Sequence, residues 1–152
     1  MTTRHILAVD PGKATGVCLF SIEKGEDPTL MFSWEVTMET FAQIVRWALK
    51  AYPGTEVVCE KFTITARTAK LTQAPYSLEH IGILKQCMMD EKLDYENLPL
   101  QTPTDAKAMF PNPALKKLGY WHRGGAGHAL DSIRHGLLYM VRTGWKPSAI
   151  FK

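Results

Sequence analysis

The first 36 residues constrain the fold most strongly, because short apolar runs alternate there with turn residues. Residues 5–10 form an apolar run that stops at a Pro-Gly pair, which predicts a buried strand ending in a turn. Residues 15–21 and 30–36 repeat the pattern, with a turn cluster at 25–28 between them. Three such strands joined by short connections predict an antiparallel meander at the start of the chain.

The rest of the chain changes to alternating helices and strands. Apolar residues recur at helical spacing over 38–51, and a short β-branched run follows at 55–60, so these segments predict a crossover between parallel strands. Further helices are expected at 77–91, 103–110 and 128–142, a short strand at 98–101, and a loop at 111–127 with one helical piece near Leu115. The predicted fold class is α/β, with a mixed five-stranded sheet of three antiparallel strands and then parallel strands, flanked by helices.

Composition limits the kind of protein this is. A chain of 152 residues, 45% hydrophobic and 22% charged, predicts a single globular domain spanning residues 1–152. It has no run of 18 apolar residues and no secretory signal pattern, so we expect no membrane partner and a cytoplasmic location. Three cysteines without Cys-x-x-Cys spacing argue against disulfides and a cysteine zinc site. The run 123–127 lacks the order of a phosphate-binding P-loop, so no nucleotide cofactor is expected.

Positive charge is concentrated towards the end of the chain. Residues 101–152 carry eight basic and two acidic side chains, whereas acidic side chains outnumber basic ones over residues 1–100. A basic region of this kind is typical of a surface that binds a polyanion. A solvated face that only aids solubility is the alternative interpretation.

Three carboxylates occupy positions from which they could share one site. Asp10 and Glu60 each end an apolar strand, and parallel neighbours bring the ends of their strands together. Asp131 lies in the first turn of the last helix, three residues after His128 on the same face. Carboxylates this close repel one another unless cations neutralise them, and oxygen ligands favour Mg²⁺ or Mn²⁺. Two such ions about 3.5–4 Å apart support an in-line displacement at a phosphodiester, so these residues predict hydrolysis of a nucleic-acid backbone.

Each of these residues also has a purely structural interpretation. Asp10 before Pro-Gly is a common turn residue, and Glu60 before a lysine resembles a solvated strand end. On the last helix, the side that carries His128, Asp131 and His135 lies opposite the main apolar stripe, as on a solvent-facing surface. Two apolar residues interrupt that polar side, so the pattern leaves its direction open.

Three segments taken together resemble a known family. They are similar to the three acidic motifs of RuvC-type Holliday-junction resolvases, in the same order and at similar separations: Asp10-Pro-Gly-Lys-Ala-Thr-Gly-Val17, Val57-Val-Cys-Glu60 and Gly127-His-Ala-Leu-Asp-Ser132. The resemblance spans almost the whole chain and implies an RNase H-like nuclease fold. It also implies a homodimer that holds branched DNA, a four-way junction, and makes paired Mg²⁺-dependent nicks in opposing strands.

The resemblance also implies roles for individual residues. Asp10, Glu60 and Asp131 would be catalytic metal ligands, and His128 would ligate a metal or transfer a proton. The expected cofactors are two Mg²⁺ or Mn²⁺ ions per active site. Lys107 resembles a basic residue that contacts a phosphate near the cut.

Further candidates for DNA contact lie after the fourth strand and in the basic region. Phe62 is expected either to stack on an opened base or to belong to the core or a dimer interface. Segment 120–123 has the same two interpretations, nucleic-acid contact or packed cluster, and helix 77–91 can supply a core face, a dimer surface or both. The expected nucleic-acid-binding residues are Lys13, Phe62, Arg67, Lys70, Lys107, Lys116, Lys117 and Arg123.

The prediction is therefore a Mg²⁺-dependent endodeoxyribonuclease of the crossover-junction type, in the cytoplasm of a bacterium or a phage-infected host cell. The turn between Gly12 and Thr15 is one residue shorter than in the familiar bacterial enzymes, and residues 111–127 replace a longer helical segment. These departures suit a divergent, for example phage-encoded, member. Two alternatives are the same fold acting on a fork, a flap or an RNA–DNA hybrid, and a non-catalytic nucleic-acid-binding module.

Overall fold

A computed structural model describes residues 2–67, 70, 74–125 and 127–148, and within these ranges it contains five strands and five helices. The strands are β1 (Arg4–Asp10), β2 (Thr15–Ile22), β3 (Thr29–Val36), β4 (Glu56–Glu60) and β5 (Leu100–Gln101). The helices are α1 (Met38–Ala51), α2 (Ala74–Asp90), α3 (Pro103–Met109), α4 (Asn112–Leu118) and α5 (His128–Arg142).

The strands form one mixed sheet in the order β3-β2-β1-β4-β5, which confirms the predicted fold class. Strands β1, β2 and β3 pair antiparallel, and β1, β4 and β5 pair parallel. The predicted bounds are correct for α1 and α5, whereas α2 begins three residues earlier than predicted. The prediction for β5 was too long, because Leu98 is buried without pairing and only Leu100 and Gln101 pair with β4.

Side chains that alternate along the central strands fill two separate cores. On β1, Leu7 and Val9 belong to the cluster that α1 and α2 cover. Ile6 and Ala8 point to the opposite face and belong to the cluster that α5 covers. This period of two is that of a strand buried on both faces, and it assigns every even-numbered residue of β1 to the α5 side.

Helix α5 lies against the sheet with nearly all of its middle turns buried. Ser132 is fully buried and His135 is 1% exposed, so the interpretation of this side of the helix as solvent-facing was wrong. Gly136 makes the close approach possible, since a Cβ there would lie 2.9 Å from the Phe20 ring and 3.4 Å from Ala8 Cβ. The polar stripe of α5 therefore faces the sheet and the ends of its strands.

The segment between α3 and α5 is tied to the same core. Helix α4 is the short helical piece predicted near Leu115, whose side chain is fully buried. Tyr120 packs edge-on against Phe20 at 5.6 Å, and its hydroxyl donates a hydrogen bond to the Pro28 carbonyl. Of the two interpretations of segment 120–123, nucleic-acid contact or packed cluster, the packed cluster is therefore correct for Tyr120.

Helix α2 is a core helix with some apolar surface left uncovered. Leu84 and Met88 are buried against the first cluster, whereas Leu78 and Met89 are 46% and 45% exposed. Within the described residues, no helix is both long and apolar enough to cross a membrane.

Candidate active site

Asp10 and Glu60 lie side by side because of strand register. Strands β1 and β4 run parallel with Ala8 opposite Val58, so the next same-face pair along this register is Asp10 and Glu60. Both have even numbers, and the even-numbered Ala8 and Val58 belong to the cluster under α5. Both carboxylates therefore point towards α5 at the edge where the strands end.

The turn after Asp10 is held in place from two directions. The Thr15 hydroxyl donates to the Gly12 carbonyl at 3.0 Å and accepts from the Gly12 amide at 3.2 Å. The Ser77 hydroxyl of α2 donates to the Pro11 carbonyl at 3.2 Å. These contacts from Thr15 and Ser77 fix the end of the strand at Asp10 without using the Asp10 side chain, so Asp10 is more than a turn-forming residue.

Helix α5 begins beside Asp10 because two neighbouring positions allow it. A Cβ at Gly16, the residue paired with Asp10 on β2, would overlap the backbone carbonyl of His128. Gly127 precedes the helix with a φ of +95°, a conformation that favours glycine. The Glu35 carboxylate accepts a hydrogen bond from the His128 amide at 2.8 Å, which satisfies one of the open donors at the helix start.

His128 contacts Asp10 directly. Its Nδ1 lies 3.0 Å from Asp10 Oδ2, in an ion pair when the ring is protonated. The hydrogen bond to Asp10 raises the pKa of His128, while partial burial opposes it. Burial raises the pKa of Asp10 to about 6; the His128 hydrogen bond counteracts this, and the negative charges of Glu60 and Asp131 add to it. The raised pKa of Asp10 therefore reflects, in part, the two other carboxylates nearby.

Asp131 is paired with two cations. Its Oδ1 accepts a hydrogen bond from Arg134 Nη1 at 2.7 Å, and Lys107 Nζ of α3 lies 4.0 Å from its Oδ2. Arg134 is itself buried and also donates to the Phe110 carbonyl at 2.9 Å and to the Asn112 side chain. Arg134 thus fixes Asp131 relative to the start of α4.

Glu60 is held by the same helix one turn further on. Its Oε2 lies 2.8 Å from His135 Nε2, and the His135 ring is almost completely buried. Gln101, the neighbour of Glu60 on β5, donates to the His135 carbonyl at 2.8 Å. Neither contact was foreseen; the only available signal was the four-residue spacing from Asp131 to His135 on the polar stripe of α5.

These side chains line one open cleft of about 220 Å³ at the carboxyl end of β1 and β4. Asp10, Glu60, His128 and Asp131 all contribute to its walls, so the structure brings together the four residues that the motifs single out. The remaining lining residues are Pro11, Gly12, Phe62, Ser77, Pro103 and Lys107.

The donor set suits a divalent cation in its chemistry, although it is not a preformed cage. Among the described residues, no three histidine, cysteine, aspartate or glutamate side chains already converge as metal ligands. Asp10, Glu60 and Asp131 each direct one oxygen at a protein donor. A carboxylate oriented in this way can offer its second oxygen to a metal, the usual arrangement of hydrogen-bonded carboxylate ligands; for Asp131, that second oxygen lies 4.0 Å from Lys107 Nζ.

The other predicted DNA-contact residues fall into two groups. Phe62 and Lys107 lie in the cleft, and Phe62 is half-buried there and belongs to neither core cluster, so the core interpretation of Phe62 was wrong. The second group is exposed and lies outside the cleft: Lys13, Arg67, Lys70, Lys116, Lys117 and Arg123. Thr68, Ala69 and Leu71 of the predicted loop at 62–71 lie outside the described residues.

Comparison with known proteins identifies the fold. No protein-family model and no curated protein matches the sequence. The structure titled T. thermophilus RuvC in complex with Holliday junction substrate is similar with a TM-score of 0.68 at 13% identity, over 92% of this chain and 96% of that chain. A Thermus thermophilus RuvC structure gives a TM-score of 0.69 at 14% identity with the same coverage. The chain therefore has the RNase H-like fold of RuvC over nearly its whole length.

Proposed function

We propose that this chain is a metal-dependent, structure-selective DNA endonuclease, and specifically a Holliday-junction resolvase. The observation that supports this most directly is the convergence of Asp10, Glu60 and Asp131, with His128, on one cleft of a RuvC-like fold. One of the similar RuvC structures is described as a complex with a Holliday junction substrate, so the fold is known to accommodate that DNA.

The proposed metal ligands are Asp10, Glu60 and Asp131, with His128 as a fourth ligand or a proton carrier. Bound Mg²⁺ or Mn²⁺, in a pair, would neutralise the carboxylates and stabilise the charge that develops at a phosphodiester during hydrolysis. Burial and the two neighbouring carboxylates disfavour the negative charge on Asp10, and a bound cation would stabilise that charge.

The chain's own residues would bind and orient the DNA. Lys107 is 60% exposed beside Asp131, so its ammonium can reach a phosphate at the cleft. Phe62 lies half-buried in the cleft wall, where its ring can stack on an opened base. His128 contacts Asp10 through Nδ1, and its Nε2 has no hydrogen bond to a described residue, so that nitrogen is free to ligate or to move a proton.

We further propose that two copies act together. A four-way junction requires cuts in two opposing strands, whereas the described part of one chain has a single cleft of this composition. Helix α2 exposes Leu78 and Met89, which are three turns apart on one helix face, and apolar side chains there support self-association. Sedimentation of the free protein tests this, and a monomer at the concentrations that cleave DNA would contradict it.

The decisive experiment measures nicking of a synthetic four-way junction with Mg²⁺, alongside linear duplex, fork, flap and RNA–DNA hybrid. We expect Glu60→Gln and Asp131→Asn to abolish cleavage and to preserve or strengthen junction binding, because each removes a negative charge that faces phosphates. Glu26→Gln, at an exposed turn outside the cleft, is the matched control and should cleave normally.

Other outcomes would redirect the proposal in defined ways. Equal cutting of linear duplex and junction would exclude a resolvase, and preferential cutting of a fork, flap or hybrid would assign another substrate to the same site. Junction binding without Mg²⁺-stimulated nicking would identify a non-catalytic binding module.

A further inference from the structure

Glu60 is oriented by a hydrogen bond that its own strand does not provide. Its Oε2 lies 2.8 Å from Nε2 of His135, which comes from α5 and is 1% exposed. The second oxygen, Oε1, has no hydrogen bond to a described residue and belongs to the side chain that lines the cleft. One side of the carboxylate is thus tied to the protein interior, and the other is left for the cleft.

The surrounding contacts indicate which ring nitrogen of His135 carries the proton. A carboxylate only accepts hydrogen bonds, so Nε2 is the donor to Glu60. Gln101 Nε2 lies 3.4 Å from His135 Nδ1 and donates to the His135 carbonyl at 2.8 Å. Nδ1 therefore faces an N–H group, which suits an acceptor nitrogen and keeps the proton on the Glu60 side.

The Gln101 side chain makes its hydrogen bond to His135 with its amide nitrogen and leaves its amide oxygen unpaired within the described part of the chain. Its Oε1 is buried and has no partner among the described residues. Rotating the amide by half a turn would instead point Oε1 at the His135 carbonyl, setting two acceptors against each other. A buried acceptor left unpaired is unfavourable, but the reverse orientation would also lose the bond to the His135 carbonyl, so the contacts with His135 fix the orientation of the Gln101 amide.

The three residues form a closed arrangement between sheet and helix. Glu60 and Gln101 are partners in the β4–β5 register, and the Lys61 amide donates to the Gln101 carbonyl at 2.7 Å. Both side chains reach the same residue of α5. The position of His135 is therefore set from the strand that carries Glu60 and from its neighbour.

We propose that His135, held by Gln101, is a positioning residue that fixes the Glu60 carboxylate for divalent-metal binding. The inference rests on the proposed function only in taking Glu60 as a ligand. Without the His135 donor, Glu60 would be free to turn its carboxylate among several orientations, and a metal would have to select one of them. Loss of such an outer hydrogen bond typically weakens metal affinity about 10–100-fold.

Calorimetric titration of the DNA-free protein with Mn²⁺ tests this, because its result does not depend on cleavage. His135→Leu keeps a similar side-chain size and removes the donor, and we expect it to weaken Mn²⁺ binding about 10–100-fold. His135→Gln places an amide N–H near the position of Nε2, and we expect it to recover most of that loss. In nicking assays, His135→Leu should need more Mg²⁺ for half-maximal rate while junction binding without metal stays unchanged.

A second variant separates positioning from simple packing and covers the case in which His135→Leu fails to fold. Gln101→Leu removes the unpaired acceptor and the support of His135 together. We expect its melting temperature to be unchanged or higher while its Mn²⁺ affinity falls several-fold, a combination that a packing role would not produce. A lower melting temperature together with weaker Mn²⁺ binding would assign Gln101 to packing and overturn the proposal.

The two proposals can fail separately. Wild-type protein that binds Mn²⁺ and cleaves junctions, with unchanged Mn²⁺ affinity in His135→Leu and Gln101→Leu, would overturn the positioning role alone. Wild-type protein that neither binds Mn²⁺ nor cleaves would overturn the proposed function and the positioning role with it.

Discussion

Replacing Asp10 with asparagine should stabilise the metal-free protein at neutral and alkaline pH, although it removes a proposed ligand. Asp10 is 4% exposed, and burial is the main cause that raises its pKa from 3.8 to about 6. A carboxyl group whose pKa is higher in the folded state favours folding while protonated, and that advantage disappears as the pH rises through the folded pKa. A shift of about two units makes the charged form unfavourable by about 3 kcal/mol in the native state.

The pH dependence of the gain follows from the same two pKa values. Below the unfolded pKa the carboxyl is neutral in both states, so asparagine offers no advantage. The expected gain in the free energy of unfolding is about 1 kcal/mol near pH 4.5 and about 3 kcal/mol near pH 8. For a chain of this length, the larger gain corresponds to roughly 6–12 °C in melting temperature.

Urea unfolding in the presence of a chelator measures both values. Asp90→Asn is the control, because Asp90 is a half-exposed aspartate at the end of α2, and its change should stay within about 0.5 kcal/mol at either pH. Adding Mg²⁺ should stabilise the wild type and have little effect on Asp10→Asn. An Asp10→Asn protein no more stable than wild type near pH 8, or equally stabilised at both pH values, would refute the attribution to a buried negative charge.

Two further variants test the surface and the packing around the cleft. The double variant Lys116→Ala, Lys117→Ala should weaken junction binding and reduce the slope of log affinity against log salt concentration by about 2, provided each lysine contacts one phosphate. Lys50→Ala, on the opposite face of the sheet, is the control and should leave that slope unchanged. An unaltered slope in the double variant would remove both lysines from the DNA surface. Gly16→Ala should lower the free energy of unfolding by about 1–3 kcal/mol or more, because its methyl group would overlap the start of α5. Gly82→Ala, with open space around it in α2, should instead raise that free energy by about 0.5–1 kcal/mol, so equal urea midpoints for the two variants would contradict the close contact at the helix start.

The sheet and the two strand-end carboxylates were predictable because they depend on local patterns. The apolar run before Asp10 and the one before Glu60 each predict a buried strand, and parallel pairing of the two strands brings their acidic ends together. That both acids lie on one face follows from the register, which the structure supplies. The helical spacing of α1 and α5 was equally readable, and both helices have the predicted bounds.

The direction of the polar stripe on α5 was not predictable in this way. Hydrophobic periodicity assigns a polar side to solvent, whereas here His135 and Arg134 are buried because Glu60, Asp131 and backbone carbonyls satisfy them. Glu60 and the Phe110 carbonyl come from segments distant in the chain, whereas Asp131 is only three residues from Arg134 on the same helix. The role of Gly16 was likewise hidden, since nothing in its surroundings along the chain shows that a helix start lies against it.

A single helix, α5, carries one of the three carboxylates of the cleft and contacts the other two. From α5, His128 binds Asp10, Arg134 binds Asp131, and His135 binds Glu60. The spacing of the acids is thus tied to one helix: a shift of α5 along or around its axis would alter the His128–Asp10 and His135–Glu60 contacts together and would carry Asp131 with it. Substitutions that change the position of α5, even far from the cleft, should therefore disturb all three carboxylates together. A site in which only some of them are correctly placed is not expected.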